Sequence, residues 1–204
     1  MKCYFISDNS YFIDGLKHVL RGTSIGEHSI YVNINEDEFY TTPEQDDIVI
    51  LAISNVCVRR RVLHIPEIAL CRLAIMERTG TRVIPRGIFI PWLVSECLTK
   101  EELINALHTL QINRFKMHQI SAREAELFSY LGAGLSHDEV AEIMGLPSKY
   151  IYALRRKINI SLGLLHCNSA TGILLCRDIA EMRTYNKRQP VLNRFTFENS
   201  IAFY

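Results

Sequence analysis

Apolar positions in the first half of the chain come in short runs that alternate with helical spacings. Cys3-Tyr4-Phe5-Ile6 reads as a buried strand, and Phe12, Ile13, Leu16, Val19 and Leu20 place a helix over residues 10–20. Residues 29–34 predict a second strand. Asp46-Asp47 then lead into Ile48-Val49-Ile50-Leu51-Ala52-Ile53, a continuous β-branched run suited to a parallel strand buried on both faces. Residues 71–76 and 88–94 predict a fourth and a fifth strand, separated by only about a dozen residues. Thr99 predicts an N-cap, with Glu101 and Glu102 in the first turn and Leu103, Ile104, Leu107 and Leu110 along one face. Strands alternating with helices imply a parallel sheet in an α/β domain.

The pattern changes after Gln111. The stretch to Gln119 is polar, basic and without periodicity, as in a linker. Beyond it the pattern is purely helical. Ser121 with Glu124 forms a capping box that opens a helix over 122–132, and Gly134 closes it. Ser136 with Glu139 repeats the box for a helix to 144, ended by Gly145. Pro147 and Ser148 open a third helix running to about 162, with Gly163 after it, and a fourth covers 168–183.

Composition narrows the function classes. The 204 residues are 48% hydrophobic and 22% charged, as in a packed globular protein. With 23 Lys and Arg against 22 Asp and Glu, nucleic-acid binding would have to come from local placement of charge. No apolar run reaches the roughly 18 residues of a membrane span. The quickly acidic N-terminus does not read as a secretory leader, so a cytoplasmic protein is expected. The six cysteines form no C-x-x-C pair and read as free thiols in a reducing compartment. The seven histidines show no metal-ligand spacing, so neither metal nor cofactor is expected. No phosphate-binding loop or nucleophile elbow occurs, and no residue is assigned a catalytic role.

The turn Gly145-Leu146-Pro147-Ser148 separates two helices with helix-turn-helix spacing, which lets the second enter a major groove while the first braces it. On a helical wheel Ile151, Leu154, Ile158 and Leu162 share the core side, and Lys149, Tyr152, Ala153 and Arg156 share the opposite one. Arg156 could pair bidentately with guanine, and Ala153 is small enough to approach a thymine methyl. Arg155 and Lys157 flank this face and suit phosphate contacts. On spacing alone the same face reads equally well as a solvated surface.

Residues 120–164 resemble the DNA-binding domain of the LuxR/FixJ (NarL-type) regulators. The resemblance is ungapped and rests on Arg123-Glu124, Gly134-Leu135-Ser136, Glu139-Val140-Ala141, Gly145-Leu146 and the Arg155-Arg156-Lys157-Ile158 run. It implies double-stranded DNA as the partner, read in the major groove from Tyr152, Ala153 and Arg156. Tyr150 and Leu154 depart from the family's usual Thr and His, and Pro147 from its usual Ser.

The N-terminal half is similar in layout to a response-regulator receiver whose phosphorylation chemistry has gone. Such receivers carry two acidic residues after the first strand; here Ser7-Asp8 stands there. Ala52 occupies the phosphoacceptor position, and Ser95 stands where a Lys would follow the fifth strand. Phosphoryl transfer needs an oxygen nucleophile, a carboxylate-held metal and a cation on the developing charge. Ala52, Ser7 and Ser95 between them remove or weaken all three. Asp46 and Asp47 lie at the wrong end of their strand to substitute.

The resulting expectation is a flavodoxin-like pseudo-receiver at 1–112, a linker at 113–118, an all-α four-helix helix-turn-helix domain at 119–184 and a tail at 185–204. This order is similar to that of RcsA-type auxiliary regulators, which implies a homodimer or a heterodimer with a related response regulator. Three functions stay open: a DNA-binding regulator controlled by its level or a partner, a small-molecule sensor using the vacated pocket, and an adaptor that pairs with a relative without binding DNA. Arg59-Arg60-Arg61 reads as a solvated helix face, or else as a contact for an acidic partner or a DNA backbone.

Overall fold

The computed structural model describes residues 1–36, 42–77, 89–95, 97–113, 116–117, 120–162, 164 and 170–188. Its first half is built on five parallel strands: β1 (Cys3–Ser7), β2 (Ser29–Asn33), β3 (Ile48–Ala52), β4 (Arg72–Glu77) and β6 (Trp92–Ser95), in the order β2-β1-β3-β4-β6. Tyr4, Ile6, Val49 and Leu51 point to one face, while Cys3, Phe5, Ile48 and Ile50 point to the other, and both sets are buried. That is why β3 reads as an unbroken apolar run. Helices α1 (Ser10–Leu20) and α4 (Lys100–Ile112) cover the Phe5 face through Ile13, Leu16, Leu20, Leu103, Leu107 and Leu110. The short α2 (Ser24–Glu27) connects α1 to β2, and Ile25 packs on the same side. Helix α3 (Val56–Leu63) covers the Tyr4 face through Val62 and Leu63. The sheet with its flanking helices fits a receiver-like α/β domain, and its strand order is that of the flavodoxin-like arrangement.

Capping side chains set the helix starts. Asn9 and Asn55 accept from the first-turn amides of α1 and α3, and Thr99 with Glu102 forms the capping box of α4. The last turn of α4 is closed from outside. Arg72 Nη1 donates to the carbonyls of Leu110, Gln111 and Asn113 at 2.6–3.1 Å.

The second half comprises α5 (Ala122–Gly132), α6 (His137–Met144), α7 (Ser148–Ser161) and α8 (Ala170–Arg188). Ser121 with Glu124 and Ser136 with Glu139 form the expected capping boxes. Gly134 (φ 94°) and Gly145 (φ 63°) take the left-handed conformation that lets the next amide reach back. Leu135 N donates to Tyr130 O, and Leu146 N to Ala141 O.

Several sequence expectations need correction. The single strand expected at 88–94 is two. Pro91 has no amide to donate, and the ladder breaks there. Before it, β5 (Phe89–Ile90) pairs in parallel with β7 (Lys116–Met117), while β6 pairs with β4. The stretch read as structureless linker therefore contributes a strand. Helix α8 runs on to Arg188, because no Gly or Pro falls between Ile173 and Gln189. The segment between the fourth and fifth strands at 78–88, Glu96, Gly163, Cys167 and the tail from 189 lie outside the described residues. Among the described cysteines, Cys3, Cys71 and Cys176 are buried, Cys57 and Cys97 are exposed, and none forms a disulfide. Burial pushes the Cys3 and Cys71 thiols up to about 12, which keeps them unreactive.

The arginine triplet is not simply solvated: the acidic partner of its first two members is the chain's own α8. Arg59 Nε and Nη2 both lie 3.1 Å from Asp178 Oδ2, with side chains 3% and 0% exposed. Arg60 makes a two-pronged pair with Glu181 at 2.7 and 3.0 Å. His64 Nε2 stands 3.5 Å from the same carboxylate. Arg177 Nη2 reaches the other oxygen of Asp178 at 2.8 Å. Around these charges the apolar core under α3 continues into Leu175, Ile179 and Met182 of α8.

Removing one partner of a fully buried pair leaves the other charge without compensation, at about 3–5 kcal/mol. Asp178→Ala is therefore expected to destabilise the chain by that amount in urea titration, and Glu181→Ala, at a partly solvated pair, by about 1 kcal/mol. His64 is held below its ordinary 6.5, chiefly by burial, with Arg60 and Arg177 acting the same way and Glu181 and Asp178 opposing. The folded chain thus favours the neutral ring. That contribution is complete above 6.5 and is lost as pH falls through the folded-state value. The thermal midpoint should drop more between about pH 8 and about pH 5 in the wild type than in His64→Gln.

Candidate nucleic-acid interface

Helix α7 divides as its sequence periodicity requires. Ile151, Leu154, Ile158 and the following Leu162 are 0%, 9%, 2% and 6% exposed and form the core side. Lys149, Tyr150, Tyr152, Ala153, Arg156 and Lys157 are exposed. The tight turn positions this surface. Leu146 N closes on α6, Pro147 occupies the N-cap of α7 and accepts from Tyr150 N at 2.8 Å, and the helix then departs with its outer side uncovered.

Arg155 stands apart from its expected neighbours. It is 7% exposed, and its guanidinium lies over the Tyr152 ring at 5.3 Å. A buried cation stacked on an aromatic face fixes that ring rather than reaching outward. His137, the first residue of α6, also meets the Tyr152 ring, with centroids 6.2 Å apart. Burial, with Arg155 adding to it, holds His137 below the ordinary imidazole value against the pull of Asp138. Tyr152 is thus held by contacts with both the His137 ring and the Arg155 guanidinium. Lys157 leans toward Glu124 at 3.8 Å with 75% of its side chain exposed, so its charge stays accessible. Glu139, in the capping box of α6, is kept below the usual carboxylate range by its hydrogen bonds with the Ser136 backbone and side chain.

The carboxyl ends of β1 and β3 lie where the strand order reverses, the place at which open α/β sheets bind ligands. The register pairs Ser7 with Ala52, and Asp8 follows Ser7 at the same end, while Ser95 ends the edge strand β6. The polar groups are engaged with the chain itself. Ser7 Oγ donates to Ala52 O at 2.7 Å and accepts from Asn9 N. The Asp8 carboxylate accepts from Ser54 N and Asn55 N at 2.8–3.1 Å. Ser95 Oγ accepts from Cys97 N at 3.2 Å. Asp47 sits at the opposite strand end, where it accepts from Lys2 N and Glu44 N. No group of three metal-ligating side chains occurs among the described residues, and no described helix is long and apolar enough to cross a membrane.

Sequence reasoning did not foresee Arg59, Arg60, Asp178 and Glu181 as a cluster. A signal was present. Asp178 falls within Ile173-Leu174-Leu175-Cys176-Arg177-Asp178-Ile179-Ala180, and a carboxylate in an apolar stripe needs a buried partner.

No family model matches the chain, and no curated protein matches it. Solved structures similar to it include the response regulator ChrA of a heme-sensing two-component system, 14% identical over 89% of this chain and 98% of that one, with a TM-score of 0.34. The two-component response regulator RcsB in complex with DNA is 14% identical over 86% and 96%, with a TM-score of 0.41. RcsB from Salmonella enterica serovar Typhimurium bound to a promoter is 12% identical over 87% and 98%, with a TM-score of 0.39. At these values the likeness is distant.

The division of α7 predicts two different mutational responses. Leu154→Ala opens a cavity in a packed core and should cost about 2–4 kcal/mol in chemical denaturation. Arg156→Ala, on the open side, should stay within about 0.5 kcal/mol of wild type.

Proposed function

We propose that this chain is a bacterial transcription regulator that binds double-stranded DNA through α7 and works without aspartyl phosphorylation. The observation that carries the reading is the outer side of α7. It displays Lys149, Tyr152, Ala153, Arg156 and Lys157 to solvent, opposite an unbroken apolar stripe and directly after a tight turn. A helix so presented fits a major groove, with its N-terminal residues nearest the base edges. Arg156 is assigned to guanine and Ala153 to a thymine methyl, while Lys149 and Lys157 are assigned to phosphates. Tyr152 contacts the groove wall as a braced ring. Arg155 acts on DNA through Tyr152 rather than by touching a phosphate itself.

In this reading residues 1–112 are a pseudo-receiver, 113–118 connect, 119–184 form the LuxR-type reading domain, and the tail follows. Ala52 offers no nucleophile, and Asp8 is committed to two backbone amides. Control therefore passes to protein level or to a partner. The same engagement of Ser7 and Asp8 favours this over a small ligand in the pocket. Two half-sites suit a homodimer, or a heterodimer with a related response regulator, acting in the cytoplasm.

The test is binding of the purified chain to genomic DNA fragments across a salt series. Tight binding that weakens steeply with salt is expected, because phosphate contacts release counterions. Arg156→Ala should cost about 1–3 kcal/mol and relax sequence preference, and Lys157→Ala should reduce the salt slope by about 1. No binding by the folded protein at low salt would sink the proposal. Incubation with a small phosphoryl donor and Mg²⁺ should leave the intact mass unchanged, and a gain of one phosphoryl group would remove the phosphate-independent part.

A further inference from the structure

The end of β1 and the start of α3 are tied together by groups that a phosphorylation site would need free. After Ala52 the chain turns through Ile53, Ser54 and Asn55 into α3, where backbone amides lack intrahelical partners. Asn55 Oδ1 satisfies Cys57 N and Val58 N. The amides of Ser54 and Asn55 point instead at the Asp8 carboxylate. Ser7 Oγ holds the Ala52 carbonyl from the same side. An anion at this position also suits the positive end of α3.

One turn into α3 lies Arg59, whose amide donates to Asn55 O at 2.9 Å and whose guanidinium is buried against Asp178. A buried ion pair gains little over a well-packed apolar pair. What it supplies is registry, because a small slide of α3 on α8 would leave a buried charge misplaced. The adjacent Arg60–Glu181 pair fixes the rotation about that point. Asp178 is held in turn by Arg177, which packs against Gly132 of α5. A path of hydrogen bonds and ion pairs thus runs from Asp8, through the α3 N-terminus, into the helical half.

We propose that Asp8 is a built-in anion that sets the position of α3, so that Arg59 and Arg60 latch α8, and that the N-terminal half governs the helical half through this latch. Asp8 is a positioning residue here: it acts on α8 only through α3. The latch stands independently of whether α7 reads DNA.

The experiment is hydrogen exchange on the full chain, comparing wild type with Asp8→Ala, Asp8→Asn, Arg60→Glu and Arg60→Glu/Glu181→Arg. Asp8→Ala should speed exchange roughly tenfold at residues 54–60 and also at 175–182, the scale set by losing a hydrogen bond to a charged group. Asp8→Asn, which keeps one acceptor oxygen, should give a smaller change at both places. Arg60→Glu sets two carboxylates face to face on a partly solvated pair, and should loosen 175–182 while leaving Ser54 and Asn55 protected. The double variant should restore protection by reversing the pair. The proposal is overturned if the effect of either Asp8 variant stops within α3, or if Arg60→Glu leaves α8 as protected as in wild type. DNA affinity of the same variants separates the two readings. An intact latch response with no DNA binding in any variant retains the latch and removes the DNA reader.

Discussion

Arg59 and Asp178 are the constraint to which the rest of this molecule answers. Both are buried, and each is tolerable there only with opposite charge beside it. Their pairing joins two halves that the hydrophobic pattern describes as separate units. It also fixes which side of the helical half turns inward. With α8 committed to α3, the outer side of α7 remains uncovered, and its cations stay available. The apolar core running from Leu63 and Ile68 to Ile179 and Met182 supplies burial without direction. The ion pair supplies direction.

At the carboxyl ends of β1 and β3 the polar groups satisfy one another. Ser7 Oγ holds the Ala52 carbonyl, and the Asp8 carboxylate takes the amides of Ser54 and Asn55. Any anion arriving at those amides would have to displace a carboxylate that the chain supplies itself.

Much of this was legible in the sequence because it rests on local rules. The capping pairs Ser121–Glu124 and Ser136–Glu139, the glycines 134 and 145 and the spacing of Ile151, Leu154 and Ile158 each depend on neighbours within a turn or two. Helices α5, α6 and α7 accordingly lie where those signals place them. The juxtaposition of Ser7 and Ala52 was implied by the resemblance to receivers, and the register of β1 with β3 pairs the two residues. What stayed hidden depends on distant residues. Arg59 resembles any surface arginine until α8, 119 positions later, is brought against it. Arg155 sits one position from an exposed neighbour, and a wheel has no means of showing that Tyr152 will cover it. Pairing of Lys116–Met117 with Phe89–Ile90 required a partner that a polar, aperiodic stretch does not advertise.

That last pairing bears on how the two halves could ever part. Among the described residues the connection is pinned twice: Lys116–Met117 pair with Phe89–Ile90, and Arg72 holds three carbonyls at its start. Even with its ionic contacts broken, α8 would stay tethered to α3, at an effective concentration on the order of millimolar for a short connection. Any partner that opens this protein must therefore hold it open, and once that partner leaves, reclosure is an intramolecular event that does not wait for a collision.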